Sequence, residues 1–279
     1  MPELPEVETI ARALRQGGRL LDGKPAPSIL QRPVQSAHLL WERSLAVPAP
    51  AELQSRLPGQ AIVDVSRRGK FLALHLTRDT LLVHLRMSGD LFALPVGEGL
   101  PDYTRFYADL EGNLRLVFND ARKFGRLWLV SDPQQILGGL GPEPLDESFT
   151  ADDLYDLLHA RRRQLKPLLL DQTFLAGLGN IYADEALHLA GLHPLRDSAG
   201  ISREEATRLW NAIRQVLEEG IRRNGASIDW VYRGGDFQNS FRVYQRTGEP
   251  CPVCGTPIER ITVGQRGTHF CPHCQPLKA

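Results

Sequence analysis

All four cysteines of the chain fall within its last thirty residues: Cys251-Pro-Val-Cys254, a gap of sixteen residues, then Cys271-Pro-His-Cys274. Two C-x-x-C knuckles at this separation form the pattern of a four-thiolate tetrahedral zinc site. Pro252, Gly255 and Pro272 suit the tight turn that each knuckle needs. A pair of disulfides is the alternative. The lack of cysteine in the first 250 residues, and of any mark of secretion, argues against it. His269 and His273 lie close by, but four thiolates complete a site and leave no open position for catalysis. The expected cofactor is one structural Zn2+, held by Cys251, Cys254, Cys271 and Cys274.

The 279 residues are 42% hydrophobic, enough for two cored domains besides this small metal module. The chain starts with acids and no apolar run, so no signal peptide is expected. No stretch of eighteen apolar residues suggests a membrane span. A soluble, cytoplasmic protein without a membrane partner is the expectation. The 33 basic and 33 acidic residues cancel, which by itself speaks mildly against nucleic-acid binding. The charge is nonetheless uneven. Basic clusters occur at Arg67-Arg68-Gly69-Lys70, at Arg122-Lys123 with Arg126, and at Arg161-Arg162-Arg163 with Lys166. Singly, each reads as a solvated face.

Val7, Ile10 and Leu14 follow Pro5 at helical spacing, and Gly17-Gly18 ends that helix. From about 60 to 130 short apolar runs alternate with turns, among them Arg68-Gly69 and Glu111-Gly112-Asn113, as in a β-sandwich. Gly138–Pro144 reads as a linker. Beyond it the pattern is helical, with Thr150/Asp153 and Ser202/Glu205 as capping boxes. The predicted class is therefore α+β and multidomain: an N-terminal β-sandwich with a flanking helix, a helical domain and a zinc ribbon. The predicted boundaries are 1–131, 132–224, a loop at 225–240, and 241–275.

Two further features carry chemistry. The chain begins Met1-Pro2-Glu3-Leu4-Pro5-Glu6. Removal of Met1 would make Pro2 a free secondary amine, able to attack carbon and form an iminium. An α-amino group of pKa about 7.7–8.0 is roughly one-tenth neutral at pH 7, far more than a lysine. Glu3 and Glu6 place carboxylates near it for acid–base work. The plain alternative is an ordinary second residue with Pro5 opening a helix. The second feature is Leu175-Ala-Gly-Leu-Gly-Asn180 ahead of a helix, whose backbone N–H groups suit a phosphate. It lacks the lysine and serine of a P-loop, and a plain helical hairpin packed on glycine is the alternative.

Taken together, MPELPEVET, SRRGKF, HLRMSG, NDARKFG, AGLGNIYADEAL and CPVCGTP…GQRGTHFCPHC resemble, in this order, the formamidopyrimidine-DNA glycosylase (Fpg/Nei) family. The resemblance spans the whole chain. It implies that residues 132–224 form a helix-two-turn-helix DNA-binding domain and that 225–240 close over the lesion. It implies base-excision repair of oxidised purines, with Pro2 as nucleophile, Glu3 as acid–base and Glu6 as a supporting carboxylate. Lys70 and Arg266 match residues assigned to the elimination steps. They read first as phosphate-holding cations, since arginine is a poor proton donor. Met87, Arg122 and Phe124 match the residues that fill the gap left by a flipped base, which fits apolar wedging into a base step. For Phe124, core packing is the alternative. DNA contacts are implied at Arg122, Arg161 and Asn180, and at Tyr103 where the family often carries histidine. The implied partner is double-stranded DNA holding oxidised purines or abasic sites, bound by a monomer associated with the nucleoid.

Three rivals stand beside this. The sister enzyme endonuclease VIII shares the Pro2 chemistry but usually carries glycine where Leu4 stands. A non-catalytic damage binder would not need Pro2, Glu3 and Lys70 together. A small-molecule enzyme using proline as a base would leave the zinc ribbon and the Met87/Arg122/Phe124 set without purpose.

Overall fold

A computed structural model describes residues 1–19, 25–227 and 234–277. The chain forms two compact units. One comprises Met1–Gly138 with Asn224–Gly235, the other Gly139–Arg223 with Asp236–Ala279.

The first unit is a sandwich of two sheets with a helix on it. Helix α1 (Leu4–Gln16) opens with Pro5 in its first turn, where a missing N–H costs nothing. Its buried face carries Leu4, Val7, Ile10, Ala11 and Leu14. The strands are β1 (Val34–Leu39), β2 (Leu45–Val47), β3 (Ile62–Arg68), β4 (Phe71–Leu76), β5 (Thr80–His84), β6 (Gly89–Pro95), β7 (Thr104–Leu110), β8 (Leu114–Asp120) and β9 (Arg126–Val130). A four-stranded sheet runs β1-β7-β8-β6, and a five-stranded one β2-β9-β5-β4-β3. Among the described residues only the β2–β9 pair is parallel. In β7 buried and half-buried residues alternate strictly, the pattern of a strand with one face in a core. In β5, central in its sheet, all five residues are buried. One apolar cluster joins Val7 and Ile10 of α1, Val65, Leu72 and Val83 of one sheet, and Phe106, Leu116 and Phe118 of the other.

The second unit contains α4 (Ala151–His159), α5 (Leu165–Leu170), α6 (Asn180–Ala190) and α7 (Arg203–Arg222), the short α2 (Pro50–Arg56) and α3 (Gln134–Leu137) belonging to the first. The Thr150/Asp153 and Ser202/Glu205 capping boxes both form. A hairpin of β10 (Glu259–Val263) and β11 (Arg266–Phe270) carries the last two cysteines on its exit. Its two-residue turn, Gly264-Gln265, takes φ of 55° and 62°, as a type I′ turn requires. Among the described residues no helix is long and apolar enough to cross a membrane.

Candidate functional site

Pro2 lies immediately ahead of α1 and is buried, whereas Met1 is exposed. The proline nitrogen is here in a peptide bond to Met1 and stands in for the free amine that removal of Met1 would expose. The next residues are fixed by a capping box. Glu3 caps α1, and the Glu3 N–H donates to Glu6 Oε2 at 2.8 Å. Both carboxylates are buried, at 2% exposure each. The second oxygen of Glu6 reaches far along the chain: Oε1 accepts the Ala226 N–H at 2.7 Å. Glu6 thereby joins the residue after Pro2 to the root of the 225–240 loop.

That root leaves no room for a side chain. A Cβ on Gly225 would lie 2.6 Å from Glu6 Oε1, and its φ of +80° already disfavours any other residue. Ser227 closes the loop base, its Oγ donating to Gly235 O at 2.9 Å and accepting the Gly234 and Gly235 N–H groups. Residues 228–233 of this loop, with Tyr232 and Arg233, lie outside the described residues. Gly225→Ala is expected to lower unfolding free energy by about 1–3 kcal/mol, read as an earlier urea midpoint. An unchanged midpoint would mean the root is not tightly fitted.

Lys70 sits in the Gly69-Lys70 turn between β3 and β4, with Gly69 at φ 56°. It is buried rather than displayed on a solvated face, which corrects the reading of this cluster. Arg67 is committed as well, its Nε donating to Glu8 Oε2 at 3.1 Å. Burial alone would raise the Glu8 carboxyl, but Arg12 and Arg67 hold it below its ordinary value. This pair ties the Lys70 hairpin to α1, the helix that follows Pro2. His84 ends β5 nearby. Burial, with the charges of Arg86 and Lys70, pushes its pKa down to about 3, so it is neutral at physiological pH.

Met87 is half-buried in the turn between β5 and β6. Phe124, at 50% exposure, is not a core residue, and the Arg122 guanidinium lies over its ring at 5.1 Å. Tyr103 is likewise exposed, with Arg105 over its ring at 5.9 Å. Its carbonyl accepts the Asp120 N–H at 2.9 Å, which places Tyr103 beside the Arg122–Phe124 turn.

In the second unit, Asn180 opens α6 and its Nδ2 donates to Gly267 O at 3.0 Å, next to Arg266. Its Oδ1 is buried and has no hydrogen-bond partner among the described residues. Arg266 is exposed at the start of β11. Arg161 contacts Asp171 at 3.8 Å and Thr173 at 3.4 Å. The glycine turn is less open than its sequence suggests, because the Gly177 N–H donates to Gln172 Oε1 at 2.9 Å.

Lys166 does not belong to the exposed Arg161–Arg163 cluster. It is fully buried, paired with Asp184, and donates to Asn180 O at 3.0 Å. Asp184 also accepts the His269 N–H at 3.0 Å. Glu185, one residue on, accepts backbone N–H groups of Arg242, Val243 and Tyr244 at 2.8–3.0 Å. Burial raises its pKa, against these three bonds. The two adjacent carboxylates of α6 thus hold both the β11 strand and the chain entering the metal module. Sequence reading misses Asp184 and Glu185, since a lone acidic pair on a helix gives no sign of burial.

The four cysteine sulfurs lie within 4.8 Å of one another. Cys251–Cys274 and Cys254–Cys271 approach to 3.9 and 3.5 Å, near the ~3.8 Å edge of a tetrahedron with Zn–S of about 2.3 Å. A disulfide would need sulfurs about 2.05 Å apart. Backbone N–H groups of Val253 and Cys274 point at Cys251 Sγ and Cys271 Sγ, at 3.5 and 3.4 Å, which favours thiolates. His188 Nε2, 3.4 Å from Cys251 Sγ, supports the site from outside. The donor set fits one structural zinc ion.

Sandwich, helix-two-turn-helix body and four-thiolate hairpin define a class of DNA-repair fold in which the chain's own N-terminus lies ahead of the sandwich helix. Family models agree over three stretches. Residues 1–127 match the formamidopyrimidine-DNA glycosylase N-terminal domain, 140–231 its H2TH domain, and 248–277 a zinc finger found in FPG and IleRS. The chain is 45% identical to the formamidopyrimidine-DNA glycosylase of Chloroflexus aurantiacus, covering 99% of this chain and 98% of the relative. It is 42% identical to that of Protochlamydia amoebophila, covering 99% of each. Among solved structures it is similar to Lactococcus lactis Fpg (MutM) in complex with N7-benzyl-Fapy-dG DNA. The TM-score is 0.89 and the identity 34%, over 99% of this chain and 100% of that one. A MutM complex with carbocyclic 8-oxo-G DNA gives a TM-score of 0.88 at 34% identity, over 99% and 100% of the two chains. The chain belongs to the formamidopyrimidine-DNA glycosylase family.

Proposed function

We propose that this chain is a bifunctional DNA glycosylase and abasic-site lyase of base-excision repair, acting on oxidised purines such as 8-oxoguanine and formamidopyrimidines. The observation that carries the reading is the buried Glu3–Glu6 capping box directly behind Pro2, in a family with members solved on Fapy-dG and 8-oxo-G DNA.

The damaged nucleotide leaves the stack, at a cost of a few kcal/mol, because a sugar carbon is unreachable within the duplex. The Pro2 nitrogen then bonds to C1′. The C1′–N bond breaks, and the base departs with its electron pair and takes a proton. Glu3 protonates the sugar ring oxygen, which opens the ring and leaves an iminium after the amine has lost its proton. The iminium acidifies the 2′ carbon. Loss of a 2′ proton expels the 3′ phosphate, and a second elimination expels the 5′ phosphate. Water finally releases the sugar remnant and returns the amine. Glu6 supports this by fixing the Glu3 backbone. Lys70 and Arg266 hold phosphates through these steps, and Arg161, Asn180 and Tyr103 contact the DNA backbone. Met87, Arg122 and Phe124 occupy the space left by the flipped base.

The zinc supplies structure only. The working boundaries are 1–131, 132–224, the lesion-capping loop 225–240, and 241–275. The setting is the cytoplasm, on nucleoid DNA, as a monomer.

Cleavage of matched duplexes tests the substrate class. A duplex with 8-oxoguanine opposite cytosine should be cut about tenfold or more faster than one with thymine glycol. The reverse order would make the chain an endonuclease VIII-like enzyme for oxidised pyrimidines. Binding without cutting either would leave a non-catalytic damage binder.

A further inference from the structure

The residues proposed to fill the DNA gap come from two separate turns, and a single carboxylate holds both. Met87 lies between β5 and β6, and Arg122 and Phe124 lie between β8 and β9. Asp120, the last residue of β8, is fully buried. Its Oδ1 accepts the hydroxyl of Ser88, the residue next to Met87, and the Arg122 N–H at 3.2 Å. Its Oδ2 accepts the Gly125 N–H at 2.7 Å. Ser88 Oγ in turn accepts the Arg122 N–H at 3.0 Å. Asp120 therefore touches both sides of one turn and the last residue of the other.

The surroundings leave little slack. Asp120 pairs with Gly89 in the β6–β8 register, so the two turns leave the sheet side by side. A Cβ on Gly125 would lie 2.4 Å from Phe118 Cζ, and one on Gly89 would lie 2.5 Å from Leu85 O. Arg86 and Lys123 take φ of 54° and 63°, conformations that persist in non-glycine residues only where the surroundings impose them. One lies beside Met87, the other between Arg122 and Phe124.

We propose that Asp120, assisted by Ser88, is a positioning residue that locks the two turns into one register, so that Met87, Arg122 and Phe124 enter a base step as a unit. This rests on the gap-filling role given above to those three residues. A carboxylate is required because both oxygens accept. An amide would turn an NH2 group toward the Gly125 N–H or toward the Ser88–Arg122 pair, leaving a donor facing a donor.

The test compares single-turnover excision of 8-oxoguanine opposite cytosine with excision opposite an abasic site, where no partner base opposes extrusion. Rates are normalised to the fraction of enzyme that borohydride traps. A defect of folding alone lowers both rates and leaves their ratio unchanged. Asp120→Asn is expected to lower the paired-to-unpaired ratio about 10–100-fold, the scale of a small misplacement. Ser88→Ala, which leaves the carboxylate in place, is expected to lower it by roughly half as many decades. Met87→Ala is the control for the underlying reading and should lower the ratio too. A drop with Met87→Ala but an unchanged ratio in both Asp120→Asn and Ser88→Ala overturns the positioning role alone. An unchanged ratio with Met87→Ala overturns the gap-filling reading, and the positioning role with it.

Discussion

A chain that keeps any residue ahead of Pro2 is expected to lose strand cutting by roughly a thousandfold or more, the scale on which removal of an enzymatic nucleophile is felt. The amide nitrogen of a Met1–Pro2 bond shares its lone pair with the carbonyl and cannot attack C1′. Stability should be untouched. The groups that fix this segment, the Glu3 N–H on Glu6 and Glu6 on Ala226, lie behind the proline and are indifferent to what precedes it. Met1 itself is exposed and fills no part of the core. The comparison is between processed protein and an uncleaved N-terminal extension, verified by intact mass and matched in thermal midpoint. Cutting by the extended chain at the processed rate would remove Pro2 from the chemistry.

Loss of one zinc ligand should be nearly as severe for DNA binding. Cys271 is fully buried and adjoins Phe270, the last residue of β11. The small cluster of Val243, Cys251, Ile258 and Cys271 is too slight to hold a two-stranded hairpin, which is marginal in water by itself. Structural zinc supplies about 10–16 kcal/mol of apparent binding energy in comparable modules. Cys271→Ser should reduce zinc from one per chain to none under mild chelation. Affinity for duplex DNA should fall at least about a hundredfold as the strand bearing Arg266 loses its support. One tightly held zinc in this variant, with unchanged affinity, would show that the hairpin does not depend on the four-thiolate site.

What was legible in the chain is what short-range pattern encodes. The C-x-x-C spacing marks the metal site, and Thr150/Asp153 and Ser202/Glu205 mark two helix starts. Glu111-Gly112-Asn113 marks the β7–β8 hairpin, where Gly112 and Asn113 both take positive φ. Burial of polar groups was not legible, because it depends on partners distant in sequence. Lys166 follows three arginines and looks like a fourth surface cation. Its place is decided by Asp184, eighteen residues on, across the α5–α6 packing. Glu6 is matched to Ala226 across 220 residues, and no local signal could announce that pairing. Asp120 was hidden for a different reason. Within NDARKFG the eye goes to the basic and aromatic residues that could meet DNA, whereas the buried aspartate is what shapes their turn.

Borohydride reduction during reaction with a duplex carrying 8-oxoguanine opposite cytosine, followed by peptide mass mapping, tests the central claim most directly. The account predicts a covalent protein–DNA adduct on the nitrogen of Pro2, absent from a chain that keeps a residue ahead of Pro2. An adduct on Lys70 or another lysine, or base release with no adduct at all, would contradict it.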